Sequence, residues 1–137
     1  MAAITELHGT AAVRDAVGRH LGTSEWVAIP AEQLAAFATA TDGAPVEMLA
    51  ISLSNLFLPQ IVEVQGFAMG INYGTEAVRF GPPLQAGDRV RATATLQDVA
   101  DVRDGIQTRM TIVVEVDGRE PACTIESLSR WLGEVQS

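Results

Sequence analysis

Lysine is absent from the 137 residues, and the nine basic side chains are all arginines, spread from Arg14 to Arg130 against seventeen Asp and Glu. Phosphate binding draws its affinity from clustered cations, so a net charge of −8 without a basic patch argues against a nucleic-acid partner. Cysteine occurs once, at Cys123, which excludes an internal disulfide and a multi-cysteine zinc site and makes a reducing, cytoplasmic setting the expectation. The two histidines, His8 and His20, fall in the first twenty residues. The sequence carries no metal-ligand spacing, no Ser/His/Asp arrangement and no phosphate-binding glycine loop, so neither a metal nor a cofactor is expected. The segment from Met1 to Leu7 lacks the basic region and apolar run of a signal peptide, and no apolar run is long enough to span a membrane. Aromatic residues make up only 5% of the chain, so its core must be packed from Ala, Val, Leu and Ile.

What is present fits a single domain over residues 1–137, because 47% of the residues are hydrophobic and the length falls in the usual single-domain range. Thr10 is a plausible N-cap, and Val13, Val17 and Leu21 recur every four residues until Gly22, which predicts a first amphipathic helix. Glu25 to Ile29 reads as extended. Pro30 suits the first turn of a second helix, with Leu34, Phe37 and Ala38 as its buried stripe. After a break at Thr41 to Ala44, Pro45 can open a third helix, and the tract Val46 to Val62 is apolar on most faces, as a helix covered on several sides would be.

From Glu63 onward the composition turns to strands: Gln65 to Tyr73, Glu76 to Phe80, Arg89 to Val99, Ile106 to Val116 and Ala122 to Trp131. Asp104-Gly105 and Asp117-Gly118 are hairpin turns, and Pro82-Pro83 with Ala86-Gly87-Asp88 marks a loop. Helices followed by a run of antiparallel strands make an α+β fold.

The run Gly70-Ile71-Asn72-Tyr73-Gly74 with Val78-Arg79-Phe80, followed by Pro83 and Gly87-Asp88-Arg89-Val90-Arg91-Ala92, resembles the central strands and loop of MaoC-like enoyl-CoA hydratases and dehydratases. Pro121-Ala122-Cys123 with Glu126-Ser127-Leu128-Ser129-Arg130 is similar to the last strand of the subgroup that includes nodulation protein N. The resemblance implies a hotdog fold, a long central helix wrapped by an antiparallel sheet of about five strands. It also implies dimers formed by sheet edges and acyl-thioester sites near the subunit interface. In working members an Asp and a His on a loop after the second helix activate the water that adds across the enoyl bond, and an Ala-His-Gly helix start helps hold the thioester carbonyl. Here only Asp42, Gly43, Ala44, Pro45, Val46 and Glu47 separate Thr41 from Met48, several times fewer than the family's segment, and none is a histidine.

Acid–base catalysis needs a titratable group within hydrogen-bond reach of the transferred proton. The candidates left are Glu47 and Asp42. Glu47 stands where some hotdog thioesterases place an acidic base or nucleophile; equally, an acid in a helix's first turn is favoured by the dipole. Asp42 is either the family's Asp displaced or a turn residue, since Asp-Gly favours turns. Asn72 and Tyr73, on the strand that the resemblance runs past the pocket, are candidate ligand-binding residues, as are Pro45 and Val46 at the helix start. His20 reads as a surface residue and Cys123 as an inert core thiol.

Two functions follow. One is a non-catalytic hotdog chain that binds an acyl thioester or polyketide-like molecule as a homodimer, or as the partner of an active MaoC-like chain. The other is an enzyme of changed chemistry, a thioesterase or a cyclase or lyase on a bulky natural-product intermediate, using Glu47 or Asp42.

Overall fold

Alternation of buried and less buried side chains, unbroken through much of the second half of the chain, sets the architecture: one face of a large antiparallel sheet is core and the other is not. The computed structural model describes residues 3–135; Met1 and Ala2, at the start of the segment read for a signal peptide, and Gln136 and Ser137 lie outside the described residues. In chain order the elements are β1 (Thr5–His8), α1 (Gly9–Asp15), β2 (His20–Thr23), β3 (Val27–Ala28), α2 (Ala31–Ala40), α3 (Glu47–Ser52) and α4 (Ser54–Ile61). They are followed by β4 (Val62–Gln65), β5 (Phe67–Phe80), β6 (Arg89–Val102), β7 (Gly105–Val116) and β8 (Arg119–Glu134). Six strands form the main sheet in the order β2-β6-β7-β8-β5, with β3 also on β6. The sheet is thus slightly larger than the five strands expected. A separate parallel pair joins β1 to β4, setting Thr5 against Val62 and His8 against Gln65.

The inner face of the sheet is built from β-branched and small residues, among them Val90, Ala92, Ile112, Val114 and Ile125, all nearly inaccessible. Across it lie α3 and α4. The central helix is therefore two short pieces, six and eight residues, meeting at Leu53, where the sequence predicted one long helix. Ser52 and Ser54 each donate their hydroxyl to a carbonyl three residues back, at 2.8 and 2.7 Å. Pro59 brings no N–H to α4. Only one stripe, Leu49, Ala50, Leu53, Phe57 and Ile61, is buried, while Met48 and Leu56 are 46% and 49% exposed. In the single chain this helix is covered on one side rather than several.

Other expectations change for identifiable reasons. The first helix ends at Asp15, because the chain turns at Gly18 (φ 86°), whose N–H donates to the Leu96 carbonyl at 2.7 Å. Leu21 is buried as a residue of β2 instead. Thr10 is not the N-cap. It lies inside the first turn, where Glu134 accepts both its N–H (3.1 Å) and its hydroxyl (2.6 Å). In α2, Leu34 and Phe37 are half-buried, but Ala38 is exposed. The two strands predicted over Gln65–Phe80 are one, β5, with register shifts at Asn72/Gly74 and Thr75/Ala77 absorbing the break. The hairpins at Asp104-Gly105 and Asp117-Gly118 stand where expected, with positive φ at Asp104 (67°) and Gly118 (81°). Arg119 fastens the loop before β6 by donating to the Pro83 carbonyl at 2.9 Å and to Asp88. No helix among the described residues is long and apolar enough to cross a membrane.

Candidate functional site

Next to the buried stripe of the central helix, Asn55, Leu58, Pro59 and Val62 recur at intervals that place them on one face. That face stands over the inner surface of β7 and β8 and leaves a pocket of about 320 Å³ between helix and sheet. Val64, Met110 and Trp131 complete its apolar wall, and Asn55, Glu63 and Ser129 are its polar members. The volume lies at the lower end of the range usual for small-molecule sites, about 300–1,000 Å³.

Trp131 is held in place from three sides. Residues directly paired across strands share a face, and the partners of Trp131 are Ile106 on β7, which is 2% exposed, and Gly70 on β5. Its Nε1–H donates to Thr108 Oγ1 at 3.1 Å, and Thr108 is inaccessible to solvent. The Thr108 hydroxyl donates in turn to the Ser129 carbonyl at 3.5 Å. The indole covers Gly70 so closely that a Cβ there would stand 2.6 Å from the ring. Phe67 meets it at 6.5 Å, tilted by 47°.

The residues singled out in the sequence lie elsewhere. Asp42 is an exposed residue of the turn that ends α2, in the left-handed region at φ 53°, and the next N–H, that of Gly43, closes the helix by donating to the Ala38 carbonyl at 2.8 Å. Pro45 is exposed, and its carbonyl accepts from the Met48 N–H at 3.0 Å. Val46 precedes α3 and is half-buried, as is Glu47 in the first turn. None of these four lines the pocket; eight residues of helix separate Glu47 from Asn55, about 12 Å along the axis at 1.5 Å per residue. Asn72 pairs with Ser129 and so shares the face of the sheet that carries the pocket. Tyr73, 54% exposed at the bulge, stacks under the Arg130 guanidinium at 3.8 Å. Arg130 alternates with Ser129 and Trp131 and points to the opposite face, where its Nε–H donates to Gln107 at 2.8 Å. The sequence-derived candidates are thus not gathered at one point.

Among the described residues, two groups titrate away from their ordinary values. Burial pushes the Cys123 thiol up to about 11. Hydrogen bonds from the Thr10 side chain and backbone hold the Glu134 carboxyl below the usual range, with the charge of His8 adding in the same direction. Neither borders the pocket. Among the described residues no group of three His, Cys, Asp or Glu side chains is placed to hold a metal ion.

A helix line laid across a long antiparallel sheet, with an apolar pocket between them, defines the hotdog class. Solved structures bear out that architecture: the chain superposes on a MaoC-like dehydratase from Rhodospirillum rubrum with a TM-score of 0.67 at 16% identity, over 88% of this chain and 95% of that one. It also superposes on a chain of the ChsH1–ChsH2 complex from Mycobacterium tuberculosis with a TM-score of 0.56 at 15% identity, over 93% and 90%. No family model matches the sequence. Among curated proteins, 3-hydroxyacyl-thioester dehydratase Z of Mycobacterium tuberculosis is 33% identical, over 85% of this chain and 91% of the relative. Nodulation protein N of Rhizobium meliloti is 30% identical, over 90% and 89%. The chain belongs to the MaoC-like dehydratase family.

Asn55, Glu63, Ser129 and Trp131 were not among the candidates read from the sequence. The signal for Asn55 was visible as one of two amides, with Gln60, in a largely apolar helical tract. That for Trp131 was one of only two tryptophans, at the end of the last strand.

Proposed function

We propose that this chain binds the acyl part of a thioester, or a polyketide-like molecule of similar shape, between α4 and the sheet, and does not perform the family's hydration by itself. The pocket carries the reading: an apolar space with a few polar groups in its lining suits an acyl chain with a polar head. The second half of the proposal is supported by the turn from Asp42 to Glu47, which contains no histidine and sets both its carboxylates apart from the pocket. The alignments point the same way. The 85% of this chain matched to dehydratase Z is about 116 of its 137 residues, against 138 aligned positions, so about 20 positions of the relative face no residue here. On this reading the chain works in the cytoplasm as a homodimer or as the partner of a MaoC-like chain that has both catalytic groups.

The test is a hydratase assay with crotonyl-CoA and longer enoyl-CoAs, beside a thermal-shift screen of acyl-CoAs. Each catalytic acid or base typically contributes about 10² to 10⁴-fold, so turnover of the chain alone should sit near background. Acyl-CoAs should raise the melting temperature, because a ligand of the folded state stabilises it by RT ln(1 + [L]/Kd). Turnover within tenfold of an ordinary family member, or no thermal shift with any acyl-CoA, would overturn the proposal.

A second reading, an enzyme of changed chemistry such as a thioesterase or a cyclase or lyase, keeps one specific observation in its favour: Glu63 puts a carboxylate on the pocket wall. Glu63 joins Glu47 and Asp42 as a candidate base. Loss of turnover in Glu63→Gln, with Glu47→Gln and Asp42→Asn still active, would select this reading and its residue.

A further inference from the structure

The pocket wall contains one side chain whose position is fixed far more tightly than packing alone requires. Trp131 donates its indole N–H to an inaccessible threonine hydroxyl at 3.1 Å, packs closely on the bare backbone of Gly70, and lines the pocket. Any side chain at position 70 would have to displace that ring, since even a Cβ would come within 2.6 Å of it. A buried indole N–H needs a partner, and Thr108 supplies one from the adjacent strand. The rest of the wall is made of Leu58, Pro59, Val62, Val64 and Met110, smaller or more adaptable side chains.

We propose that Trp131 is the specificity-determining residue of this site: the indole, locked by Thr108 and Gly70, sets how long an apolar chain the pocket accepts. The proposal rests on the reading of this pocket as the acyl site. A rigid member of an apolar wall rejects a chain that would overlap it, because the excess must either distort a close-packed neighbour or stay in water. Where the wall is removed, each further methylene that gains cover improves affinity by about fourfold.

Butyryl-, octanoyl- and dodecanoyl-CoA serve as probes. Binding is read by thermal shift and by the fluorescence of Trp26→Phe, in which Trp131 is the only indole left. Trp26 lies beside Arg89 and Arg91, at 5.5 and 4.3 Å from their guanidinium carbons, and borders no part of the pocket. The probe that binds best should change the Trp131 emission on saturation. Trp131→Ala should move the preference towards dodecanoyl-CoA by at least about tenfold relative to the wild type. Gly70→Ala, whose Cβ the ring must move to clear, should change the order of the three affinities. Thr108→Val keeps the shape of the threonine, frees the indole and should blunt the discrimination among all three. If Trp131→Ala fails to fold, Trp131→Phe and Thr108→Val still decide the matter through the order of the three affinities. Acyl-CoA binding with an unchanged chain-length order in these variants and no response of Trp131 emission would overturn this proposal while leaving the acyl site in place. The absence of any thermal shift in the wild type would overturn both.

Discussion

Cys123 shows how a residue's surroundings decide its chemistry. It faces the inner side of the sheet at 1% exposure, paired with Val114 and Phe80. Its pKa rises from 9.0 to about 11 because burial disfavours the thiolate. Folding therefore favours the protonated form, and the stability this contributes is whole below pH 9 and lost as pH climbs towards 11. Melting temperatures of the wild type should fall more steeply than those of Cys123→Ala between pH 9 and 11; parallel curves would refute the assignment. A thiol reagent at pH 8 should label the native protein no faster than it unfolds. Glu47 presents the opposite case, a half-buried carboxylate in a helix's first turn and outside the pocket. Glu47→Gln should lower stability by less than about 1 kcal/mol, the usual size of a charge–dipole contribution. It should also leave acyl-CoA affinity unchanged, and a tenfold loss of affinity would show that Glu47 reaches the ligand.

Among the elements, α1 depends on a residue that is 119 positions beyond its end. Glu134 closes β8 and accepts both donors of Thr10, so its carboxyl is held below the usual range. A lowered carboxylate pKa stabilises the fold above the ordinary value of 4.5, and that contribution fades as pH falls below it. Melting temperatures measured between pH 6 and 3 should drop further for the wild type than for Glu134→Gln, which lacks the titrating group; equal drops would remove Glu134 from the account. The early end of the first helix has a different cause. Val13, Val17 and Leu21 have helical spacing, but the backbone at Gly18 bonds to β6, and sheet pairing overrides the pattern. The strands were legible because alternation from Val90 to Leu96 and from Ile106 to Val116 is a local signal, and so were both Asp-Gly hairpins. The pocket was not legible. It joins Asn55 to Ser129 and Trp131 across more than seventy residues, and nothing local to either end announces the other.

At the scale of the molecule, β5 is the outstanding surface. Fourteen residues long, it pairs among the described residues with β8 along one edge only, and Met69, Ile71 and Tyr73 are all exposed along it. A long apolar edge invites pairing with another strand, so the purified chain should scatter light as a dimer. Ile71→Lys should shift it to monomer at micromolar concentration with its melting behaviour otherwise intact, whereas a monomeric wild type would contradict the expected edge pairing. The small parallel pair of β1 and β4 is tied to the pocket in another way. Val62, Glu63 and Val64 form part of the pocket wall, and their backbone partners are Thr5, Glu6 and Leu7. Whatever pulls on the amino-terminal strand therefore pulls on the ligand chamber. An affinity tag fused ahead of Thr5, or trimming by a protease as far as His8, would loosen one side of that chamber while leaving the strand pairing of the large sheet in place, so a preparation can look fully folded and still have lost its ligand.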